Sequence, residues 1–324
     1  MKNNAARPSE TARLIARSLV LLARDPAFAG LVPPDAAEAS GWFLEGSAAT
    51  HAGRHARRER WEILARRPWY RAFTRLAERR TLPGIVAHYA LRKRFLEDTA
   101  RRALTHDGFI QVVVLGAGFD TLALRLAPEF PQTTFVEVDH PATQTAKQDA
   151  LARHGAVWPN LHFAPADLSQ SRLADVLDGR PAAYRPDAAT LFVAEGLLMY
   201  LEAAVVSALF RDAAGGAGTP RRRFAFTFLE PDASGAANFS PPSRFVDLWL
   251  RRRGEPFRWG VARNDLAGWL AARGWTLSPK GVATPDALRE RYLSAGANAA
   301  TLPPALRPAR GDLAAVANAE NAAG

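Results

Sequence analysis

Two short apolar runs, rich in β-branched and aromatic residues, lie in the middle of the chain. The first, 112–115, leads directly into the turn Gly116-Ala117-Gly118, and the second, 135–138, ends at Asp139. Runs of this length bounded by turn residues are typical of buried strands. Leucines at helical spacing lie between the two runs, after Asp120 and Thr121, which suit a helix N-cap. The pattern predicts a strand–turn–helix–strand unit.

Strand and helix patterns alternate from this unit to the end of the chain. Strands are predicted at 111–115, 134–138, 161–164, 189–194 and 224–229, with weaker candidates at 275–279 and 312–317. Such alternation indicates an α/β fold with a mainly parallel sheet and crossover helices.

The first hundred residues carry apolar positions at helical spacing among many arginines. Helices are predicted at 10–25, 53–66, 70–80 and 84–104. We therefore divide the chain into a helical cap at 1–105, an α/β core at 106–318 and a tail at 319–324.

The segment 231–260 differs from the rest of the core because it combines prolines with phenylalanines and tryptophans. It follows the strand at 224–229, at the sheet edge where α/β proteins bind ligands. We expect this insert to form a wall of the acceptor pocket. Aromatic residues that pack a lid onto the core would give the same pattern.

Composition narrows the class of protein. The 324 residues include no cysteine, which excludes disulfides, thiolate metal sites and a cysteine nucleophile. The apolar run at 19–23 is too short for a signal sequence or a membrane span, so we expect a cytoplasmic enzyme without a membrane partner. No HExxH-like spacing occurs, and no metal is expected.

The net charge of +10 is concentrated between residues 51 and 104, where fifteen Lys or Arg face five Asp or Glu. Such a block can attract nucleic acid or an acidic substrate. Solvated helix faces in an arginine-rich protein explain it as well, and we favour that interpretation.

The glycine turn indicates which nucleoside cofactor fits. Dinucleotide sites follow G-x-G-x-x-G, but the position of the third glycine is Thr121 here. Asp139 lies 21 residues beyond Gly118, close to the ~20 residues at which an acid meets a ribose diol in such folds. A mononucleoside cofactor such as S-adenosylmethionine suits this pattern better than a dinucleotide.

Four motifs occur in order along the chain: LGAGFDTLALRL (115–126), FVEVDHP (135–141), PADLSQ (165–170) and AEGLLMYL (194–201). Together they resemble the leucine carboxyl methyltransferase family, whose bacterial members include proteins similar to tetracenomycin-type polyketide O-methyltransferases. HYALRKRFLED (88–98) resembles the arginine-bearing helix of that family. The resemblance implies a class I methyltransferase, with a Rossmann-like seven-stranded sheet and S-adenosyl-L-methionine as the methyl donor.

The resemblance also implies donor-binding roles for particular residues. The backbone at Gly116 and Gly118 would lie against the methionine part of the donor. Asp139 would bind the ribose diol, with Glu137 ranked second because it points the same way along the strand. The pair 167–168, Asp167 and Leu168, would hold adenine, although an aspartate there can also be an ordinary N-cap.

Two further residues would hold the amino-acid part of the donor. Glu195 ends an apolar strand, where a carboxylate needs a partner, and the family places it beside the donor's ammonium group. Arg92 lies on the apolar stripe of its helix and would bind the donor's carboxylate, unless it pairs with a structural acid instead. Lys93 and Arg94 are expected to point away, with Arg94 kept in reserve.

The expected reaction is O-methylation of a small molecule at a carboxylate or a phenol. A carboxylate, with a pKa near ~4, is already ionised, whereas a phenol near ~10 benefits from a base. The sequence shows no compelling base, which favours a carboxylate slightly, and Tyr200 is expected in the core. Methylation of a protein C-terminus or of a modified tRNA base, and a donor-binding protein without catalysis, stay open.

Overall fold

The apolar runs form the seven strands of one sheet in a computed structural model of the chain. The structure describes residues 8–28, 30–45, 60, 63–179, 183–216, 218–232, 234–239, 243–293 and 311–319. The strands are β1 (Gln111–Leu115), β2 (Thr134–Asp139), β3 (Leu161–Pro165), β4 (Thr190–Ala194), β5 (Arg222–Leu229), β6 (Thr276–Ala283) and β7 (Asp312–Ala319). All seven predicted strands are confirmed, although several ends differ. The final strand includes residue 319, which the sequence assigned to the tail.

The strands lie in the order β3-β2-β1-β4-β5-β7-β6. β1 to β5 are parallel, and β7 runs antiparallel between β5 and β6. The strand order reverses between β1 and β4, so the carboxyl ends of these two strands open a crevice of the kind that binds ligands in α/β sheets.

Eleven helices surround the sheet in the part of the chain that the structure describes. They are α1 (Glu10–Ala23), α2 (Pro34–Leu44), α3 (Pro68–Thr81), α4 (Ile85–Thr105), α5 (Leu122–Glu129), α6 (Pro141–Arg153), α7 (Leu173–Asp178), α8 (Ala203–Ala214), α9 (Arg244–Arg253), α10 (Leu266–Ala271) and α11 (Pro285–Leu293).

The predictions at 10–25, 70–80 and 84–104 correspond to α1, α3 and α4. Of the predicted helix at 53–66, only residues 60 and 63–66 are described, and they are helical; the rest lies outside the described residues. Helix α2 was missed because its alanines and glycine give a weak apolar pattern.

Side chains alternate between the two faces of the sheet, and each face has its own apolar core. Val112 and Val114 point towards α1, α2, α4, α5 and α6. Val113 and Leu115 point towards α7, α8 and α10. Burial on both faces explains why the parallel strands are continuously apolar rather than alternating.

The cap helices pack directly on this framework. Helix α1 contacts α2 and α4, and α4 contacts β4 and β5. The α4 residues that face the sheet are therefore held beside the carboxyl end of β4. Within the described residues, no helix combines the length and the apolar character needed to cross a membrane.

Candidate active site

A cleft of about 1040 Å³ opens where β1, β2 and β4 end, between the sheet, the start of α1 and helix α9. Five of the predicted site residues line it: Gly116, Gly118, Asp139, Asp167 and Glu195. Arg92 and Leu168 are not among the described lining residues. Most of the residues predicted to bind the donor therefore lie around one cleft in the structure.

The two glycines of the turn differ in what they do. Gly116 has φ +62°, and a Cβ there would lie 2.7 Å from Cδ1 of Leu197. Gly118 has φ +50°, and a Cβ there would meet the methyl of Ala12 at 3.4 Å and the backbone oxygen of Gly116 at 3.9 Å. Gly116 is thus required by its backbone conformation and by the packing of Leu197, and Gly118 mainly by its backbone conformation.

Asp139 supports the same turn from the end of β2. Its Oδ2 accepts a hydrogen bond of 2.9 Å from the backbone N–H of Gly118. Burial raises the pKa of Asp139, although hydrogen bonds from the backbones of His140 and Gly118 act in the opposite direction. The side chain of His140 accepts from the backbone N–H of Ala142 and caps α6.

Glu137 does not share the position of Asp139. Its carboxylate lies 2.6 Å from Nζ of Lys147, and both side chains are only 1% exposed. Because the α6 lysine already neutralises Glu137 beneath the cleft, the structure contradicts the second-ranked ribose role.

The two residues predicted to hold adenine lie in different places, Asp167 in the cleft and Leu168 in the core. Asp167 accepts hydrogen bonds of 2.9 Å and 2.6 Å from the backbone N–H and the hydroxyl of Ser169. These contacts cap a local turn and not a helix, since α7 begins at Leu173 after Arg172, and the Asp167 carboxylate lines the cleft. The Leu168 side chain packs into the core.

Arg92 is buried, as its position on the apolar stripe predicts, and both of its partners are acids of this chain. Its Nε donates to Oε1 of Glu195 at 2.8 Å, and its Nη1 donates to Oδ2 of Asp312 at 2.6 Å. His88 also lies 3.0 Å from Asp312. Although burial opposes it, the Arg92 charge lowers the pKa of Asp312. The pair with Asp312 is of the kind that the alternative interpretation describes, and a donor-binding role of Arg92 stays a prediction.

Lys93 is a cation of the cleft that the sequence interpretation missed. Its Nζ lies 2.9 Å from both Oδ1 of Asp120 and Oε2 of Glu195, and it lines the cleft. Although burial opposes them, these two acids raise the pKa of Lys93. The expectation that Lys93 points away was wrong, because its long side chain bends from the edge of the helix towards the acids. Arg94 does not line the cleft but a small neighbouring cavity, which shares Lys93, Asp120 and Glu195 with it.

A second cavity of about 510 Å³ lies between α1, α3, the start of α4 and the insert. Its walls are mainly apolar, with aromatic side chains from Tyr70, Phe73, Tyr89, Tyr200, Phe239, Trp249 and Phe257. The insert thus contributes to a pocket wall, as one of the two interpretations predicted. Trp259 instead packs in the core, 5.2 Å from the ring of Trp269.

The two cavities meet at a junction that we define by the residues lining both: Thr11, Ile15, Gly196, Tyr200 and Trp249. Tyr200 lies in the motif AEGLLMYL (194–201), which begins at the end of β4, and the sequence placed it in the core. The structure instead places it between the two cavities, where burial raises the pKa of its hydroxyl. The described residues include no group of three or more His, Cys, Asp or Glu arranged to hold a metal.

Comparison with known proteins agrees with these features. The family model for leucine carboxyl methyltransferases matches residues 15–214. The chain belongs to the leucine carboxyl methyltransferase family. The matched region contains all four sequence motifs and the glycine turn, and of the junction it contains Ile15, Gly196 and Tyr200.

Curated relatives include three actinobacterial proteins described as S-adenosyl-L-methionine-dependent methyltransferases. Identity is 32% over 195 residues to one from Parafrankia sp., 32% over 228 to one from Mycobacteroides abscessus and 31% over 234 to one from Streptomyces coelicolor. These matches cover 58%, 66% and 70% of this chain and 58%, 70% and 74% of the relatives. The match to the first relative thus spans less than two thirds of that protein.

Solved structures support the fold. A protein from Thermobifida fusca YX, described as a methyltransferase, aligns with a TM-score of 0.54 at 18% identity and covers 91% of this chain and 98% of its own. A DUF574 family protein from Streptomyces avermitilis aligns with a TM-score of 0.51 at 14% identity and covers 87% and 97%. The predicted class I methyltransferase fold is confirmed.

Proposed function

We propose that this protein is an S-adenosylmethionine-dependent O-methyltransferase whose acceptor is a small, largely apolar molecule. One observation carries the proposal: a polar cleft at the carboxyl ends of β1, β2 and β4 meets an apolar cavity at the junction. A methyl group delivered from the cleft would meet an acceptor oxygen there.

The cleft has the chemistry that the donor requires. Asp139 accepts hydrogen bonds from the ribose hydroxyls, and Asp167 accepts one from the adenine amine. Glu195 and Asp120 face the ammonium group, and Lys93 faces the carboxylate, so the zwitterion meets both signs of charge. When bound, the donor supplies an electrophilic methyl group on a sulfonium.

Arg92 has a different role in this proposal from the one that the family resemblance implied. Its guanidinium is held by Glu195 and Asp312 and lines the apolar cavity. It therefore positions Glu195 for the donor and does not bind the donor itself.

The apolar cavity favours a small acceptor over the two macromolecular alternatives. A protein C-terminus or a tRNA base brings a charged or strongly polar chain, and burying such groups without partners is costly. A compact apolar molecule instead gains free energy when these walls leave water.

Isothermal calorimetry with S-adenosylmethionine tests the donor site. Asp139→Ala removes hydrogen bonds to a charged acceptor, which contribute about 1.5–3 kcal/mol each, so we expect affinity to fall at least about tenfold, or ~1.4 kcal/mol. Asp149→Ala, on the exposed face of α6, is the matched control and should bind like the wild type. A folded wild-type protein that binds no donor would refute the proposal.

A further inference from the structure

Helix α3 is attached to the rest of the protein by its polar side chains. Arg75 forms an ion pair with Asp25, just after α1. Oε1 of Glu78 accepts a hydrogen bond of 3.0 Å from the backbone N–H of Val86 on α4. Arg71 donates to backbone oxygens of the helical turn before α3. None of the residues of α3 is buried, so the helix turns its polar side towards the protein and packs nothing apolar into the core.

The opposite side of α3 is apolar and faces solvent. Trp69, Phe73 and Leu76 follow one another at intervals of four and three residues, which places them on one stripe of the helix. They are 62%, 61% and 46% exposed, and we call this stripe the outer face. With Ile63, in the preceding helical turn, they make up four of the eight large apolar side chains that are exposed in the described part of the chain. Single exposed apolar residues are ordinary, but a contiguous stripe marks an interaction surface.

The charges around the outer face are positive. Exposed Arg66 and Arg67 precede α3, and exposed Arg79 and Arg80 lie in its last turn. Between residues 63 and 81 the only acid is Glu78, which is engaged with α4. Arginines that flank an apolar stripe with tryptophan are typical of a helix that lies in the surface of an anionic bilayer. There the arginines reach the lipid phosphates, and the apolar side chains enter the boundary of the hydrocarbon.

Other partners fit the outer face less well. In a two-fold dimer each copy would present the same face, so that arginine clusters would meet with no acid between them. A nucleic acid would engage the arginines and the aromatic rings, whereas a bilayer also buries Leu76. The charge and the apolar stripe together therefore favour an anionic lipid surface.

The apolar cavity opens at the same side of the protein. Phe73 and Leu14 both line the cavity, and they are 61% and 39% exposed. Tyr70, Thr74 and Ala77 of α3 form more of the same wall. Because Phe73 and Leu14 belong to the wall and to the surface, the mouth of the cavity lies between α1 and α3. A bilayer in contact with the outer face would lie against this mouth.

We propose that α3 docks on the surface of an anionic lipid bilayer through its outer face and the flanking arginines, and that the apolar acceptor enters the cavity from the lipid. The entry of the acceptor rests on the proposed methyltransferase function, and the docking of α3 does not. The expectation of no membrane partner came from the lack of a spanning run in the sequence, but a helix that lies in the interface needs no such run.

Sedimentation with vesicles of phosphatidylcholine alone, or mixed with phosphatidylglycerol, tests the docking. The wild type should bind the mixed vesicles and be released by salt, because salt screens surface charges. Trp69→Ser combined with Leu76→Ser, at two positions that line neither cavity, should weaken binding at least about tenfold. Arg79→Gln combined with Arg80→Gln should weaken it about 25-fold, roughly fivefold for each arginine. Val157→Ser, at a side chain 69% exposed before β3, is the control and should bind like the wild type.

Tryptophan fluorescence in vesicles of brominated lipid tests which side meets the bilayer. Trp69→Phe keeps an apolar ring and should bind like the wild type, but part of the quenching by bromine should be lost. Phe73→Trp in the Trp69→Phe protein places a reporter at the mouth of the cavity and should restore that quenching. If the bound protein shows no restored quenching, the mouth faces away from the lipid and the proposed route of the acceptor is wrong.

The outcomes separate this inference from the proposed function. A wild type that binds S-adenosylmethionine but not the mixed vesicles would overturn the docking alone. A dimer in light scattering, or an RNA complex, that forms in the absence of vesicle binding and is lost in Trp69→Ser with Leu76→Ser would assign the outer face to that partner instead. A protein that binds the mixed vesicles but no donor would refute the methyltransferase proposal and leave the docking in place.

Discussion

Asp312 offers the sharpest test of how the buried charges are held. Its side chain is fully buried and contacts Arg92 and His88. Asp312→Asn keeps the shape of the side chain but removes its charge. Arg92 is then left with Glu195, whose other oxygen is engaged by Lys93.

Removing one partner of a buried ion pair costs about 3–5 kcal/mol, because the remaining charge is left uncompensated. We expect the free energy of unfolding of Asp312→Asn to fall by that amount. At about 2.1 cal/mol/K per residue the unfolding entropy of 324 residues is about 0.7 kcal/mol/K, so the melting temperature should fall by roughly 4–7 °C. Urea titration and thermal melting followed by circular dichroism measure the two quantities.

A surface pair provides the control. Glu129 bonds to Arg101, and its side chain is 44% exposed; such pairs contribute about 0–1 kcal/mol. Glu129→Gln should therefore melt close to the wild type. If Asp312→Asn cost no more than this control, Arg92 would be adequately held by Glu195 alone, and our account of the network would be wrong.

The stabilisation that Asp312 contributes should change with pH in a defined direction. Although burial opposes it, Arg92 lowers the folded-state pKa of Asp312 below its ordinary value. Its stabilisation is therefore present above the unfolded pKa of ~3.9 and is lost as pH falls through the lowered folded value. The stability gap between wild type and Asp312→Asn should be constant near neutral pH and should shrink in acid below about 3.9.

Three other predictions follow from single contacts. Gly116→Ala should lose about 1–3 kcal/mol from its positive φ and from the Leu197 contact, and Leu197→Ala in the same chain should recover part of it in urea titrations. Phe210→Ala empties a fully buried position and should cost about 3–5 kcal/mol, whereas Phe73→Ala, at a side chain 61% exposed, should melt like the wild type. Burial raises the pKa of Asp139. In a calorimetric series of decreasing pH, donor affinity should therefore begin to fall before the pH reaches the ordinary aspartate value of ~3.9. A donor affinity that stays constant down to that pH would contradict the ribose role.

The strands could be predicted because local composition decides them. The runs in β1, β2 and β4 are buried on both faces, and continuous apolar sequence follows directly from that burial. β6 was only partly predicted, because Pro279 and Gly281 interrupt its pattern. The pairing of β6 with β7 shifts register between Leu277 and Val282, a bulge that explains the interruption.

The site was harder to predict where it depends on contacts distant in sequence. Gly118 and Asp139 belong to one local unit, so their spacing was informative. The partners of Arg92 lie 103 and 220 residues away, and no spacing rule connects them. The hydrogen bond between Thr11 and Glu255, 244 residues apart, could not be predicted for the same reason.

The ion pair between Arg92 and Asp312 can form only late in the synthesis of the chain. The two residues are 220 positions apart, and ribosomes add about 5–20 residues per second, so the arginine waits roughly 11–44 s for its second acid. Helix α4 and the first parallel strands emerge well before β7, but the buried cation beneath the site cannot be fully paired until that strand has been made. The nascent chain therefore passes through a period in which its sheet is incomplete and Arg92 lacks the second of its two acidic partners.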